Sequence, residues 1–257
     1  MQGNGKVIGT GSATSYTIKN NGTFEKYGNG IIEYDNNANY ALRNSGVAKL
    51  YEGKIISGRI GIENKESAKL LIDGITIEAK EICIRNISTL NSLEEPAVKM
   101  LSGEIISNGT GISNNSVGLI HIVDGTIESQ QYAIHIENAE GIVIIGTDEE
   151  NPQVSTTTPM IIGGSSGIHN RNNATVKFYD GIVKGKLNGM SVNGVTTAEE
   201  INKVIELGIA DIGENRVQEL TQKLSENAYE GAPVHFIGHL QTNKVKQVVG
   251  KVDLIQS

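Results

Sequence analysis

The chain has no tryptophan, three phenylalanines and four prolines in 257 residues, and aromatic residues make up only 4% of it. It has one cysteine, Cys83, which excludes an intrachain disulfide and a cysteine-cluster metal site. It also lacks a run of about 18 apolar residues, the length that a membrane-spanning helix needs. No charged segment followed by an apolar stretch is visible near Met1, so we expect no signal peptide. Small apolar side chains must therefore build the core.

The chain is acidic, with 22 Lys and Arg against 29 Asp and Glu, a net charge of −7 and a pI near 5.3. It has no block of basic residues that would attract phosphates and release their counterions. The composition therefore predicts no nucleic-acid partner and no affinity for an anionic membrane.

A short repeat recurs as far as about residue 185. Each copy has an apolar strand, a small or acidic residue, a glycine and a second strand, and the first four glycines are 21, 29 and 22 residues apart. The five glycines are Gly53, Gly74, Gly103, Gly125 and Gly181. Aligning the copies on them gives an apolar column three residues earlier: Leu50, Leu71, Met100, Ile122 and Phe178. The column two residues later is apolar except for one threonine: Ile55, Thr76, Ile105, Ile127 and Val183.

Short strands that repeat every 20–30 residues with Gly and Asn corners are typical of a parallel β-solenoid, whose coils bury their apolar faces by stacking. The sequence predicts a mainly β fold, a right-handed β-helix of roughly eight coils over residues 1–188. Its Gly and Asn corners are expected to need a positive φ. Segments 88–96 and 148–159 are expected to be loops extruded from the stack. The pattern resembles the repeats of bacterial right-handed β-helix surface proteins and pectate-lyase-like folds.

Polar columns of the repeat offer candidate sites, each with a structural alternative. Asp73, Asp124 and Asp180 are candidates for Ca²⁺ or glycan chemistry, but Asp-Gly is also ordinary turn chemistry, which we favour. A mainly basic column could line a groove for an acidic polysaccharide, although a solvated strand face is the preferred interpretation. That column contains Lys49, Leu70, Lys99, His121 and Lys177.

Other repeated residues are expected to be structural. We predict an amide ladder between the coils, formed by Asn64, Asn86, Asn114 and Asn138. His135 and Cys83 fall in one column of the repeat, where two residues are too few for a site, and Cys83 is expected to be inert. Tyr51 and Tyr179 end strands, where they either stack on sugar rings or pack within the protein, and packing is preferred.

Near residue 190 the glycine corners give way to helical periodicity. A capping box at Thr197 predicts a helix start, Ile201, Val204 and Ile205 form its apolar stripe, and Gly208 suits its end. Further elements are expected as strand 209–212, helix 216–224, strand 234–237, helix 243–249 and strand 252–255. Strands alternating with helices predict a parallel sheet of βαβ units over residues 189–257.

Two long motifs lie where the predicted strands end: GENRVQE at 213–219 and HFIGHLQTNK at 235–244, followed by VDLIQS at 252–257. With this spacing, the segment resembles the pyridoxal phosphate homeostasis protein family, which is related to the N-terminal barrel of alanine racemase. The resemblance implies a partial α/β fragment of the TIM-barrel type that binds pyridoxal 5′-phosphate (PLP). It implies Asn215 and His235 as cofactor-binding residues, with no catalytic and no metal-binding residue assigned.

The resemblance also implies a lysine at the end of the first barrel strand, near position 194, that holds PLP as an imine. The residue there is Gly194, and no lysine lies between Lys186 and Lys203. Gly194 has no amine with which to form an imine. The family's phosphate site would lie beyond Ser257.

Three hypotheses for function follow. The first is a chimeric or truncated chain, in which a non-catalytic solenoid module precedes a remnant that lacks the imine lysine. The second is a PLP-binding protein by descent, and the third is a solenoid that binds or cleaves a polysaccharide along its flank. The solenoid resemblance implies the cell surface, whereas the PLP resemblance and the missing signal peptide imply the cytoplasm.

Overall fold

The fold is described from a computed structural model of the full chain. The structure describes residues 3–10, 15–34, 40–147, 158–171, 174–192, 198–206, 211–229 and 231–256. Several predicted features lie outside these residues: most of the loop at 148–159, Thr197, Gly194, Gly208, the first half of strand 209–212, and Ser257.

The described residues up to Val192 form a parallel β-solenoid, as predicted, in which each coil contributes strands to three faces. Eight strands form face 1: β2 (Tyr16–Asn20), β5 (Tyr40–Asn44), β8 (Ile60–Glu66), β10 (Ile82–Ser88), β12 (Thr110–Asn114), β15 (Tyr132–Ile136), β18 (Ser166–Asn170) and β21 (Asn188–Val192). Eight coils on this face agree with the predicted number. The right-handed sense stays a prediction.

The other two faces belong to one continuous sheet, because β9 (Lys69–Ala79) and β11 (Val98–Ser107) run around the corner between them. Face 2 holds the first halves of these two strands with β3 (Thr23–Lys26), β6 (Val47–Leu50), β13 (Leu119–Ile122), β16 (Ile142–Ile145) and β19 (Thr175–Phe178). Face 3 holds their second halves with β1 (Lys6–Gly9), β4 (Ile31–Tyr34), β7 (Lys54–Ser57), β14 (Thr126–Ser129), β17 (Met160–Gly163) and β20 (Ile182–Gly185).

Apolar side chains of each strand point inward and stack on their equivalents in the next coil. On face 2 the interior file is Leu50, Ile72, Met100, Ile122, Ile145 and Phe178, all buried. On face 3 it is Ile32, Ile55, Ile77, Ile105, Ile127, Ile161 and Val183. Each fully buried Ile or Leu side chain stabilises the fold by about 1.5–3 kcal/mol.

The prediction that Leu71 lies in this file is wrong, because Ile72 pairs with both Leu50 and Met100. Leu71 lies in the outward column beside Lys49 and Lys99, and the buried Leu70 was wrongly placed in that column. The error arose because Gly74 comes one residue earlier in its coil than Gly53 does. The same shift explains why Thr76 is the single polar residue in the second apolar column. Ile77, not Thr76, holds the interior position of that coil.

A glycine turns the chain from face 2 to face 3 in successive coils. Gly53 has φ +83°, and a side chain there would meet the carbonyl oxygens of Gly28 and Gly30. The positive φ predicted for the five repeat glycines is observed at every one of them. No asparagine of the described solenoid residues has a positive φ, so the positive φ predicted for the asparagine corners is wrong.

Lys26 occupies the first position of the face 2 file, where it pairs in register with Leu50. It is fully buried, and its Nζ donates to the carbonyl oxygens of Gly28 at 2.9 Å and Glu52 at 2.6 Å. Burial lowers the pKa of Lys26. The aliphatic stem therefore extends the core toward the N-terminal coil, while the corner carbonyls receive the ammonium group.

After the solenoid, helix α1 (Ala198–Glu206) leads into a smaller unit with three parallel strands. The strands are β22 (Ile212–Glu214), β23 (Val234–Phe236) and β24 (Leu254–Ile255), and the helices are α2 (Val217–Ser225), a 3₁₀ turn (Thr242–Lys244) and α3 (Val245–Val248). The predicted alternation and parallel pairing are observed. A TIM-barrel-type fold and the 188/189 boundary stay predictions.

Candidate functional site

Three rings lie together on face 1, contributed by two adjacent coils. The register of β15 and β18 pairs His135 with His169. The Tyr132 ring stacks on the His169 ring, with 4.4 Å between centroids and 15° between planes. His135 lies 5.0 Å from Tyr132 and 5.1 Å from His169, with both ring pairs tilted. We call these three residues the ring cluster.

The surroundings of the ring cluster keep its imidazoles neutral near pH 7. Burial lowers the pKa of His135, with Glu137 opposing and Arg171 reinforcing the effect. Burial also lowers the pKa of His169, and the neighbouring His135 and Arg171 lower it further. The Nδ1 of His135 lies 3.5 Å from a Glu137 carboxylate oxygen, while its Nε2 is buried without a hydrogen-bond partner. Neutral imidazoles of this kind can exchange a proton or accept a hydrogen bond.

Sequence reasoning missed the ring cluster because it aligned the coil of β15 two residues out of register. The prediction that His135 shares a column with Cys83 is wrong, since His135 pairs with Ser113 and His169. The signal was the Ile-His pair at 134–135, which recurs at 168–169. Cys83 is fully buried, and burial raises the pKa of its thiol to about 12.

The asparagine ladder forms, with one member different from the prediction. The Nδ2 of Asn64 donates to the Oδ1 of Asn86 at 3.0 Å, and the Nδ2 of Asn86 donates to the Oδ1 of Asn114 at 2.9 Å. The ladder extends upstream through Asn44 and Asn20. Asn138 is not part of it, because Ile136 pairs with Asn114 in the next coil. The Asn138 side chain instead accepts the backbone N–H of Glu140.

The aspartates of the repeat hold its corners. Asp124 accepts the N–H of Gly125 at 2.6 Å, and Asp73 accepts the hydroxyl of Ser102 at 2.9 Å. Asp180 is buried and lies close to Gly146, where an added Cβ would come within 3.0 Å of the Asp180 Cβ. These contacts support the turn interpretation over a cation site. Within the described ranges, no three His, Cys, Asp or Glu side chains are grouped to hold a metal ion.

The predicted basic column is not continuous. Lys49 pairs with Glu25 of the preceding coil at 3.0 Å, and Leu71 separates it from Lys99. His121 is 6% exposed, and its Nε2 lies 2.9 Å from the carbonyl oxygen of Gly146. An acidic polysaccharide would therefore not meet an unbroken row of cations on this face.

The two tyrosines proposed for sugar stacking have partners within the chain. Tyr51 stacks on Tyr27, with 4.6 Å between centroids and 7° between planes. The Nζ of Lys203 lies 5.8 Å above the centroid of Tyr179. Each ring thus uses at least one face inside the protein, which supports the packing interpretation.

The two cofactor-binding residues implied by the resemblance lie on neighbouring strands. Asn215 is exposed just after β22, and a side chain at Gly238 would overlap its carbonyl oxygen. His235 pairs with Gly213 in the middle of β23, and its Nε2 lies 3.9 Å from Asp211. Because adjacent residues of a strand face opposite sides, His235 faces away from the buried Phe236.

A buried polar triad lies in the small unit, and sequence reasoning did not find it. Glu214, Lys223 and Tyr229 are each no more than 5% exposed. The Tyr229 hydroxyl donates to Glu214 at 2.6 Å, and the Lys223 ammonium donates to the same oxygen. Burial, followed by the charge of Glu214, raises the pKa of Tyr229. No local sequence pattern indicates the triad, because Tyr229 lies 15 residues from Glu214 in the sequence.

Lys223 does not fit the role of a lysine that binds PLP beside Asn215 and His235. Lys223 is the lysine nearest in sequence to Asn215 among the described residues, and its amine donates to Glu214. Glu214 pairs with Phe236 and shares its side of the sheet, which is opposite to His235. A covalent cofactor site needs the amine and the ring-contacting residues on the same side. Position 194, to which the resemblance assigns the lysine, is a glycine outside the described residues.

Comparison with known proteins finds one similarity, which covers part of the chain. The chain is similar to the pyridoxal phosphate homeostasis protein of Aquifex aeolicus (strain VF5), with 48% identity over 59 residues. The match covers 23% of this chain and 26% of that protein, so the chain spans about a quarter of its length. No family model matches the chain, and no solved structure matches it. The similarity to that protein is therefore partial.

The helices of the described residues are also too short or too polar to cross a membrane.

Proposed function

We propose that the chain joins two units of different origin. Residues 1–188 form a non-catalytic solenoid that serves as a structural or binding module. Residues 189–257 are a TIM-barrel-type remnant of a PLP homeostasis protein, and we assign the similarity to the Aquifex protein to this segment. This chimeric organisation accounts for a relative that covers only 23% of the chain.

The observation that carries the proposal is the pairing of polar side chains between coils of the solenoid. The asparagine ladder satisfies buried amides from one coil to the next. Charges on the outside pair in the same way, as between Lys54 and Glu78 at 2.7 Å and between Arg59 and Glu81 at 2.9 Å. An acid–base pair for catalysis needs side chains directed at a substrate. Here the repeated polar residues hold the stack together, as a structural module requires.

For the small unit, the proposal is that Asn215 and His235 are inherited positions without a covalent cofactor. Lys223 supports this view, because its amine is bound to Glu214 in the core of the unit. Releasing that amine would leave a buried carboxylate without its cation, which costs several kcal/mol.

The test is titration of the full chain with PLP, followed by borohydride reduction and peptide mass spectrometry. We expect low, scattered labelling of exposed lysines and no stoichiometric adduct. Lys223→Arg is the matched control, since it keeps the cation beside Glu214 but removes the only buried amine of the unit's described residues. One adduct per chain at a single lysine would overturn the proposal, and loss of that adduct in Lys223→Arg would identify the site.

The polysaccharide hypothesis is separated from this proposal by its own assay. Viscosity and reducing-sugar release on polygalacturonate would both change if the solenoid were a lyase or hydrolase. Binding without cleavage would instead retard the protein on a polygalacturonate affinity gel at unchanged viscosity. We expect neither effect from the structural module.

A further inference from the structure

The C-terminal coil of the solenoid ends in three strand edges that need a cover. Strands β19, β20 and β21 are the last strands of their faces, and none pairs with a later strand in the described part of the chain. The interior files end there at Phe178, Val183 and Met190. An uncovered end of this kind exposes apolar side chains and unpaired backbone groups to another molecule.

Helix α1 lies against this end and belongs to both cores at once. Val204 packs against the hydrophobic core of the solenoid. Ile201 and Ile205, from the same helix, pack in the separate core of the small unit. One amphipathic helix therefore joins the end of the interior files to the three-stranded unit.

Two further contacts hold the small unit on the last coil. The Nζ of Lys203 lies over the ring of Tyr179, which directly follows β19. A side chain built at Gly213 of β22 would come within 2.8 Å of the Asn188 side-chain oxygen in β21. A side chain at position 213 would therefore displace the Asn188 side chain at the contact between β21 and β22.

We infer that the small unit acts as the C-terminal cap of the solenoid and prevents end-to-end stacking of chains. The first coil at the opposite end presents β1, whose Val7 and Ile8 are 39% and 51% exposed. A bare C-terminal coil would match this edge in strand direction and spacing. Such a contact is head-to-tail, so it would propagate into open filaments rather than close as a dimer. This role does not depend on whether the unit binds PLP.

The first test is Val204→Asp in the full chain, with Val249→Asp as the matched control, because Val249 is 57% exposed in the same unit. In Val204→Asp, we expect at least tenfold faster amide exchange in β19–β21 and concentration-dependent oligomers by sedimentation velocity. The control should keep wild-type exchange and mass. Unchanged protection of β19–β21 in a monomeric Val204→Asp would overturn the inference, even if circular dichroism showed that α1 had unfolded.

A second pair of variants probes the cap without placing a charge at the end of the core. Gly213→Ala displaces the Asn188 side chain at the contact between β22 and β21, and we expect the same exchange and oligomer signature in a weaker form. Asn188→Ala with Gly213→Ala removes the clashing oxygen and should restore protection toward the wild-type level. Faster exchange in Gly213→Ala that the double variant does not reduce would count against the cap.

Discussion

The Nδ2 of Asn44 donates to the Oδ1 of Asn64 at 2.8 Å, and both side chains are fully buried. Each amide also donates to a backbone carbonyl, Lys69 for Asn44 and Ala97 for Asn64. The ladder therefore connects the side chains of one coil to the backbone of the next. Buried amides of this kind are stabilising only while every donor and acceptor has a partner.

Replacing Asn64 should consequently destabilise the solenoid. Asn64→Ala removes one hydrogen bond from the Asn44 Nδ2 and one from the Asn86 Oδ1, and we expect a loss of about 2–3 kcal/mol in the free energy of unfolding by urea. Asn138→Ala is the matched control, because Asn138 occupies the same place in the sequence motif but lies outside the ladder. Equal losses for the two variants would contradict the ladder.

Neighbouring leucine and isoleucine residues of β9 should differ in their contribution to stability. Ile72→Ala removes a fully buried side chain from the interior file and should cost about 3 kcal/mol. Leu71→Ala removes a partly exposed one and should cost less than about 1.5 kcal/mol. Urea denaturation of both variants measures the difference, and a larger loss in Leu71→Ala would show that the register of β9 is wrong.

The ring cluster should make the solenoid less stable in mild acid. The pKa values of His135 and His169 are lowered in the folded chain, so the unfolded chain binds more protons as the pH falls through about 6.5. Stability contributed by the neutral rings is present above that pH and declines below it. His135→Phe with His169→Phe should reduce the drop in urea midpoint between pH 7.5 and 5.5. His239→Phe, at an exposed position, should keep the full drop.

Cys83 should report on opening of the core. Its thiol is fully buried with its pKa raised to about 12, so native protein should react with Ellman's reagent at least a hundredfold more slowly than unfolded protein. Adding an exposed thiol as Asn108→Cys in a Cys83→Ala background gives the positive control. Rapid labelling of the native wild-type chain would show that the coil of β10 opens readily.

The buried triad should stabilise the small unit far more than its exposed ion pair. Lys223→Met leaves the Glu214 carboxylate buried without a cation, which typically costs about 3–5 kcal/mol. Tyr229→Phe removes one hydrogen bond to it and should cost about 1–3 kcal/mol. Arg216→Met breaks the exposed pair with Glu219 and should cost less than about 1 kcal/mol. Amide exchange of β22 and β23 would rank the three, and a loss for Arg216→Met equal to that for Lys223→Met would refute the triad's importance.

The ring cluster and the triad show why sequence reasoning stopped where it did. Aligning the repeats on glycine or asparagine finds the period of a solenoid. However, a one-residue displacement of the aligned glycine, as at Gly74, exchanges the inward and outward residues assigned to the strand. His135 and His169 are 34 positions apart in the sequence and meet only because β15 and β18 pair in register. Lys26, an apparently ordinary surface lysine, lies in an interior position that only its pairing with Leu50 defines.

The sequence by itself determined the repeating unit, the inward apolar side chains, the glycine corners and the change of composition near residue 190. These features are local: they follow from the periodicity of nearby residues and from the conformational freedom of glycine. The tertiary structure decided that Ile72 and not Leu71 joins the face 2 file, that Asn138 lies outside the ladder, and that α1 packs in two cores. Those relationships depend on register between coils more than 20 residues apart, and that register is chosen by the packing of the whole stack.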